Sequence, residues 1–174
     1  MTKSTITYAR LRELLDYEPA SGIFTWRKAR RGTAKIGSVA GTIDGKGYVQ
    51  IKVDSRLYLA HRLAWLYTFG HFPPADIDHQ NGVRSDNRID NLRPATRSQN
   101  NANSPARSDN TSGIKGVFWE KRRKKWRVQV TVNGTKYHLG YYDDAAHATA
   151  VYQGAALLAF AEYSHHLSRK DLTP

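Results

Sequence analysis

Apolar residues recur in two different rhythms along this chain. Leu11, Leu14 and Leu15 fall at i, i+3 and i+4, which predicts a short amphipathic helix from Tyr8 to Leu15, ended by the stretch Tyr17 to Gly22. Ile23 to Trp26 reads as a strand. After glycines at 41, 45 and 47, Tyr48 to Val53 alternates apolar and polar, and Leu57 to Leu59 can pair back through a turn at Asp54-Ser55. A small antiparallel sheet is predicted there. Leu59, Leu63, Leu66 and Tyr67 then return to helical spacing, giving a helix over Ala60 to Phe69 that stops at Gly70, with Pro73-Pro74 beyond.

The next segment is short and polar. Ile77 leads a strand into Asp78-His79, Asn81-Gly82 has turn chemistry, and Ile89 to Leu92 is predicted as the returning strand. Pro94-Ala95-Thr96 opens a helix reaching about Asn103, with Thr96 as its cap. Residues 104–112, SPARSDNTS, lack periodicity and read as a linker. Beyond it lie three strand segments, with Asn133-Gly134 between the last two as a hairpin signal, and an alanine-rich helix following Asp144. Ala148, Val151, Tyr152, Ala155 and Leu158 form its predicted buried stripe. The fold class is α+β: a small antiparallel sheet and a strand–strand–helix module in residues 1–103, the linker, and a three-stranded antiparallel sheet packed on one helix in residues 113–174.

Charge narrows the choice of partner. Lys and Arg number 27 against 15 Asp and Glu, a net charge of +12, with +7 in residues 1–103 and +5 in residues 104–174. Two separately basic halves favour a polyanion, nucleic acid above all, over the alternative of a merely soluble basic protein. The absence of cysteine excludes disulfides, thiolate zinc sites and a Cys nucleophile. No run approaches the ~18 apolar residues of a membrane span, and MTKSTITYARLREL lacks a secretory core, so a cytoplasmic protein is expected.

The chemistry concentrates in DHQNGVRSDNRIDNLRPATRSQN, residues 78–100. DHxNG, DNR, NLR, AT and QNxxN, in that order, resemble the HNH nucleases of the ββα-metal type, and more closely the phage homing endonucleases whose last metal position is Asn. Phosphodiester hydrolysis needs an activated water and neutralisation of phosphoryl charge. The resemblance implies that His79 is the general base, that Asn91 on the facing strand orients it by accepting its ring N–H, and that Asp78 and Asn100 bind one Mg²⁺ or Mn²⁺. Two oxygen ligands are few, so phosphate and water should complete the shell. His61, in the segment HRLAW that the same group shares, reads as a structural histidine, and Asn87, Asn101 and Asn103 read as caps and turn formers. Arg62, Arg84, Arg88, Arg93 and Arg97 surround the segment, with Arg93 chosen as a phosphate clamp.

GIKGVFW, KWRVQVTVNG, KYHLGYYDDAAHATAVY and GAAL, within residues 112–160, resemble the three-stranded DNA-binding domain of the plant ethylene-response factors (Apetala-two type). Lys115, Phe118 and Thr131 depart from arginines common in that pattern, so its sequence preference does not transfer. Alternation puts Trp126, Val128, Val130 and Val132 on one face of a strand and Arg127, Gln129 and Thr131 on the other, joined by Lys136 and His138 across the turn, while Tyr137 and Leu139 point inward. Such a face can read a major groove while Lys121 to Lys125 meet phosphates. The DNA-binding candidates are Lys115, Arg122, Arg123, Lys124, Arg127, Gln129, Thr131, Lys136, His138 and Arg93.

Together these readings predict a metal-dependent DNA endonuclease of the free-standing homing type, acting on double-stranded DNA in a bacterial host, phage-encoded, as a monomer or weak dimer with no protein partner implied. Two alternatives stay open: a DNA-binding regulator with a degenerate HNH fold, and a protein directed at RNA.

Overall fold

A computed structural model describes residues 5–29, 34–104, 106, 110 and 112–163. Arg30 and Arg31, two of the basic residues after the first predicted strand, and most of the linker lie outside them. The chain divides into two compact units, Met1–Pro94 and Ala95–Pro174.

In the first unit α1 (Tyr8–Leu14) starts where the Thr7 side chain accepts the Arg10 N–H. Leu15, predicted as the end of that helix, instead begins strand β1 (Leu15–Glu18), which pairs antiparallel with β2 (Ile23–Trp26). The segment read as a terminator is thus half strand. Alternation explains it: Leu15 and Tyr17 are buried while Asp16 and Glu18 are exposed. Strands β3 (Thr42–Ile43), β4 (Val49–Val53) and β5 (Arg56–Leu59) form the expected antiparallel sheet. Its tight turn at Asp54-Ser55 takes positive φ at both residues, 46° and 64°, the twist that suits a two-residue hairpin.

Helix α2 (Ala60–Phe69) follows directly and ends on Gly70 at φ 79°. Its Leu63, Ala64 and Leu66 join Leu11, Leu15, Phe24, Ile51 and Val53 in one core. Strand β6 (Asp76–His79) has buried Ile77, Asp78 and His79, and pairs with β7 (Leu92–Ala95). The predicted return strand over Ile89 to Leu92 therefore lies about one turn too early in the sequence. Residues Ile89–Asn91 form a single 3₁₀ turn, closed by Asn91 N–H to the Arg88 carbonyl at 3.0 Å.

In the second unit α3 (Arg97–Asn103) begins with a reciprocal cap: Thr96 Oγ1 accepts the Gln99 N–H and Gln99 Oε1 accepts the Thr96 N–H. Strands β8 (Val117–Glu120), β9 (Lys125–Val132) and β10 (Thr135–Tyr142) form a sheet with β9 in the middle, covered by α4 (Ala145–Phe160), which Asp144 caps. Val117, Val128 and Ala148 are fully buried between them, as the alternation of β9 requires. Two expectations change. Leu158 is 90% exposed because the stripe of α4 follows Ala148, Tyr152, Ala156 and Phe160 in steps of four, so that 158 drifts off it. Tyr137 shares the face of Val130 but stays 52% exposed on the edge strand.

Candidate active site

The first unit builds its polar centre from one strand and one self-bonded loop. Asp78 and His79 end β6 and are 3% and 5% exposed. The chain then turns through Asn81-Gly82, with the Gly82 N–H donating to the His79 carbonyl at 2.8 Å. Asn91 closes the loop from the far side: its Oδ1 accepts the Asn81 N–H at 3.0 Å and its Nδ2 donates to the Asp86 carbonyl at 2.8 Å. Its backbone carbonyl accepts the Gln80 N–H. Asn91 thus holds the amides of Gln80 and Asn81, the pair that follows His79, and the Asp86 carbonyl, from a 3₁₀ turn and not from a facing strand.

Asp86 is the second knot. Its carboxylate accepts two bonds from Arg88, at 2.9 and 2.7 Å, and one from Asn81 Nδ2 at 2.7 Å. The Arg88 bonds hold its pKa down to about 2. Asn87, 2% exposed, donates to the Ser85 carbonyl, and its own carbonyl receives the Tyr17 hydroxyl at 2.8 Å. The β1–β2 turn is the outer support: Gly22, at φ 74°, lies so close to the Asn87 backbone that an added Cβ would sit 2.5 Å from its carbonyl carbon.

His79 is surrounded by rings. The His61 ring stands perpendicular to it at 5.0 Å between centroids, and Tyr48 lies 5.5 Å from His61 and 6.0 Å from His79. Arg84 stacks over Tyr48 at 5.1 Å while donating to the Lys46 carbonyl. Burial pushes the His79 pKa below its ordinary value, outweighing the opposite pull of Asn87, Asp78 and Asp86. For His61 burial and then the His79 and Arg62 charges bring it down to about 3. Both imidazoles are therefore neutral near pH 7, the form in which a ring nitrogen can take a proton.

Asp78 has a cationic neighbour. Arg93 Nε donates to Asp78 Oδ2 at 2.9 Å and the side chains are 11% and 3% exposed. Asn100, the other predicted metal ligand, lies on α3 in the second unit. Among the described residues no group of three His, Asp or Glu is gathered that could hold a metal. Within the first unit, Asp78 is the buried hard-oxygen donor, and it is paired with Arg93.

Of the residues the sequence pointed to, Asp78, His79 and Asn91 lie in the first unit, with the Asn91 carbonyl bonded to Gln80 next to His79 and its amide bonded to Asn81 and Asp86. The sequence did not foresee that the Tyr48 and His61 rings meet His79, nor the part of Asp86, whereas Asn81 and Asn87, read as turn formers, do hold the loop. The density of Asn and Asp in residues 78–91 was the available signal for the loop; nothing local signalled Tyr48.

On the second unit the register sets Phe118, Arg127 and Tyr141 side by side, then Gln129 beside His138 and Thr131 beside Lys136, with a bulge between His138 and Gly140. Arg127 stacks on Phe118 at 5.5 Å and Arg123 on Tyr141 at 4.7 Å. Arg122, Arg123, Lys124, Lys136 and His138 are exposed. Lys115 differs: its ammonium donates to the carbonyls of Asn101, Ala102 and Ser104.

The strand ending in Asp-His, the Asn-braced loop and the return strand lie within residues 58–102, which match the family described as HNH endonuclease. This segment is an HNH endonuclease domain. The chain is also similar to Protein 3.8 of Escherichia phage T7, 37% identical over 79 residues that cover 45% of this chain and 65% of that protein. It thus spans just under two thirds of that relative's length. No solved structure matches the chain.

Proposed function

We propose that the protein is a metal-dependent DNA endonuclease in which His79 is the general base. The observation that carries this reading is a neutral, buried His79 beside the Asp78 carboxylate, on a strand end braced by Asn91. A neutral imidazole accepts the proton of an attacking water at its ring nitrogen, and the resulting imidazolium is favoured by the adjacent carboxylate charge. Asn91 keeps the loop in one shape, so the ring does not reorganise during proton transfer. Asp78 and Asn100 would hold the divalent ion, Mg²⁺ or Mn²⁺, which when bound neutralises phosphoryl charge and the departing oxygen. Arg93, which pairs with Asp78, would be the phosphate clamp beside that carboxylate.

The second unit would be the reader. Arg127, Gln129, Thr131, Lys136 and His138 share one sheet face, and Arg122, Arg123 and Lys124 meet phosphates from the β8–β9 turn. Lys115, committed to α3, is left out of that face. A tethered reader raises the local concentration of the nuclease at preferred sites, which suits a free-standing homing endonuclease of phage type acting in a host cytoplasm. One site per chain makes a nick the expected product of a monomer.

Cleavage of supercoiled plasmid and phage genomic DNA by wild type and His79→Ala, with Mg²⁺, Mn²⁺ or EDTA, tests the proposal. Metal-dependent nicking should fall by about 10²–10⁴ in the variant while DNA binding persists. Binding without cleavage by wild type under every condition would instead favour the regulator reading, for which the Asp78–Arg93 pair is the supporting observation.

A further inference from the structure

The helix that carries Asn100 is held from outside the nuclease motif. α3 has seven residues and no basic residue in its last turn, so its final carbonyls lack a local cation. Lys115 supplies one from beyond the linker, donating to three consecutive-turn carbonyls, those of Asn101, Ala102 and Ser104. The other end is tied as well: Ser98 Oγ accepts the Asn133 N–H at 2.9 Å, from the β9–β10 turn. Between the two ties Ala102 packs against Val130, Ala156 and Phe160. Ser98 and Ala102 are four residues apart and share a face, whereas Asn100 lies about 200° around the helix from Ser98. The docked face and the ligand face are therefore opposite.

We infer that Lys115 is a positioning residue for the metal site: by clamping the C-terminal carbonyls of α3 to the C-terminal unit it fixes where Asn100 is presented. The inference rests on the proposed role of Asn100 as a ligand. Methionine at 115 would leave three carbonyls without that donor, the shorter uncharged amide of glutamine would replace it only in part, and α3 is too short to keep its shape alone. Burial lowers the Lys115 pKa to about 8, which still leaves the ammonium charged at pH 7.

The test compares full-length wild type, Lys115→Met, Lys115→Gln and Lys115→Arg. Amide hydrogen exchange in α3 should rise about tenfold or more in the Met and Gln variants, while Val128 and Val130 of the sheet core stay protected. Titrated with Mn²⁺ alone, the Asn100 side-chain amide signal should need about tenfold more metal for the same paramagnetic broadening. Lys115→Arg, which keeps a cation within reach, should restore both. Should Met unfold the sheet, Gln, which retains a donor, carries the comparison. Unchanged α3 exchange, or raised exchange with unchanged Mn²⁺ response, overturns the inference alone. Wild-type Asn100 showing no response to Mn²⁺ overturns its role as ligand, and the inference with it.

Discussion

Arg93 Nε donates to Asp78 Oδ2 at 2.9 Å, and both side chains are largely withdrawn from water. A buried carboxylate tolerates loss of its cation poorly, and removing one partner of such a pair costs about 3–5 kcal/mol. Arg93→Met should therefore lower stability by an amount of that order in EDTA. If a metal ion can replace the guanidinium, Mg²⁺ should restore part of the loss and stabilise the variant more than it stabilises wild type. Thermal melts with and without Mg²⁺ measure this; equal shifts in the two proteins would make the pair purely structural.

Asn91 makes its two side-chain bonds with opposite ends of its amide. Asn91→Ala removes both and should destabilise the first unit by about 2–4 kcal/mol, with partners left unpaired in a buried loop. Asn91→Asp keeps the acceptor for Asn81 but sets a carboxylate against the Asp86 carbonyl. Denaturant titrations should place it no higher in stability than wild type minus the loss of one bond, and nicking should fall in both. Wild-type stability in Asn91→Ala would mean the loop does not depend on this residue.

The pH response follows from His61. Its folded pKa, about 3, lies below its ordinary 6.5, so the unfolded chain binds the proton and the folded one does not. Stability contributed by neutral His61 is full above pH 6.5 and is lost as the pH falls from there toward 3. His79 is shifted in the same direction and adds to the slope. Urea midpoints at pH 7 and pH 5 should differ less in His61→Phe than in wild type. An unaltered difference would assign the acid sensitivity to other groups.

Two glycines of the second unit should respond differently to alanine. Gly116, at φ 75°, has no room: a Cβ there would meet the Tyr152 ring and sit 2.5 Å from the Gln129 carbonyl oxygen. Gly134, at φ 82°, has nothing within 4 Å. Gly134→Ala should cost about 1–2 kcal/mol of backbone strain alone, and Gly116→Ala distinctly more, through overpacking as well. Unfolding of the two variants side by side gives the order, and a reversed order would contradict the packing.

The β8–β9 turn should act through charge. Arg122→Gln with Lys124→Gln removes two exposed cations and should weaken DNA binding across all sequences, reducing the slope of log K against log salt by about two. Lys125, paired with Asp143 at 3.1 Å, should contribute less. Loss of site discrimination at constant nonspecific affinity would show that these residues read bases instead.

Local rules carried the sequence a long way. α2, with its stop at Gly70, the hairpins at Asp54-Ser55 and Asn133-Gly134, and the Thr96 cap were all legible because each rests on residues a few positions apart. Asp78, His79 and Asn91 were grouped through the family resemblance, and all three fall on one strand end and the loop after it. The tertiary structure decided the rest. Leu15 left its helix for a strand because its core lay on that side, and Asn91 left its strand because its amide found partners in the loop. His61 and Tyr48 met His79 from separate elements, and Lys115 crossed the linker to α3. The last two relationships join residues 11 to 31 positions apart, and there the partner is set by burial: a polar group withdrawn from water takes whichever complement the packed chain brings to it.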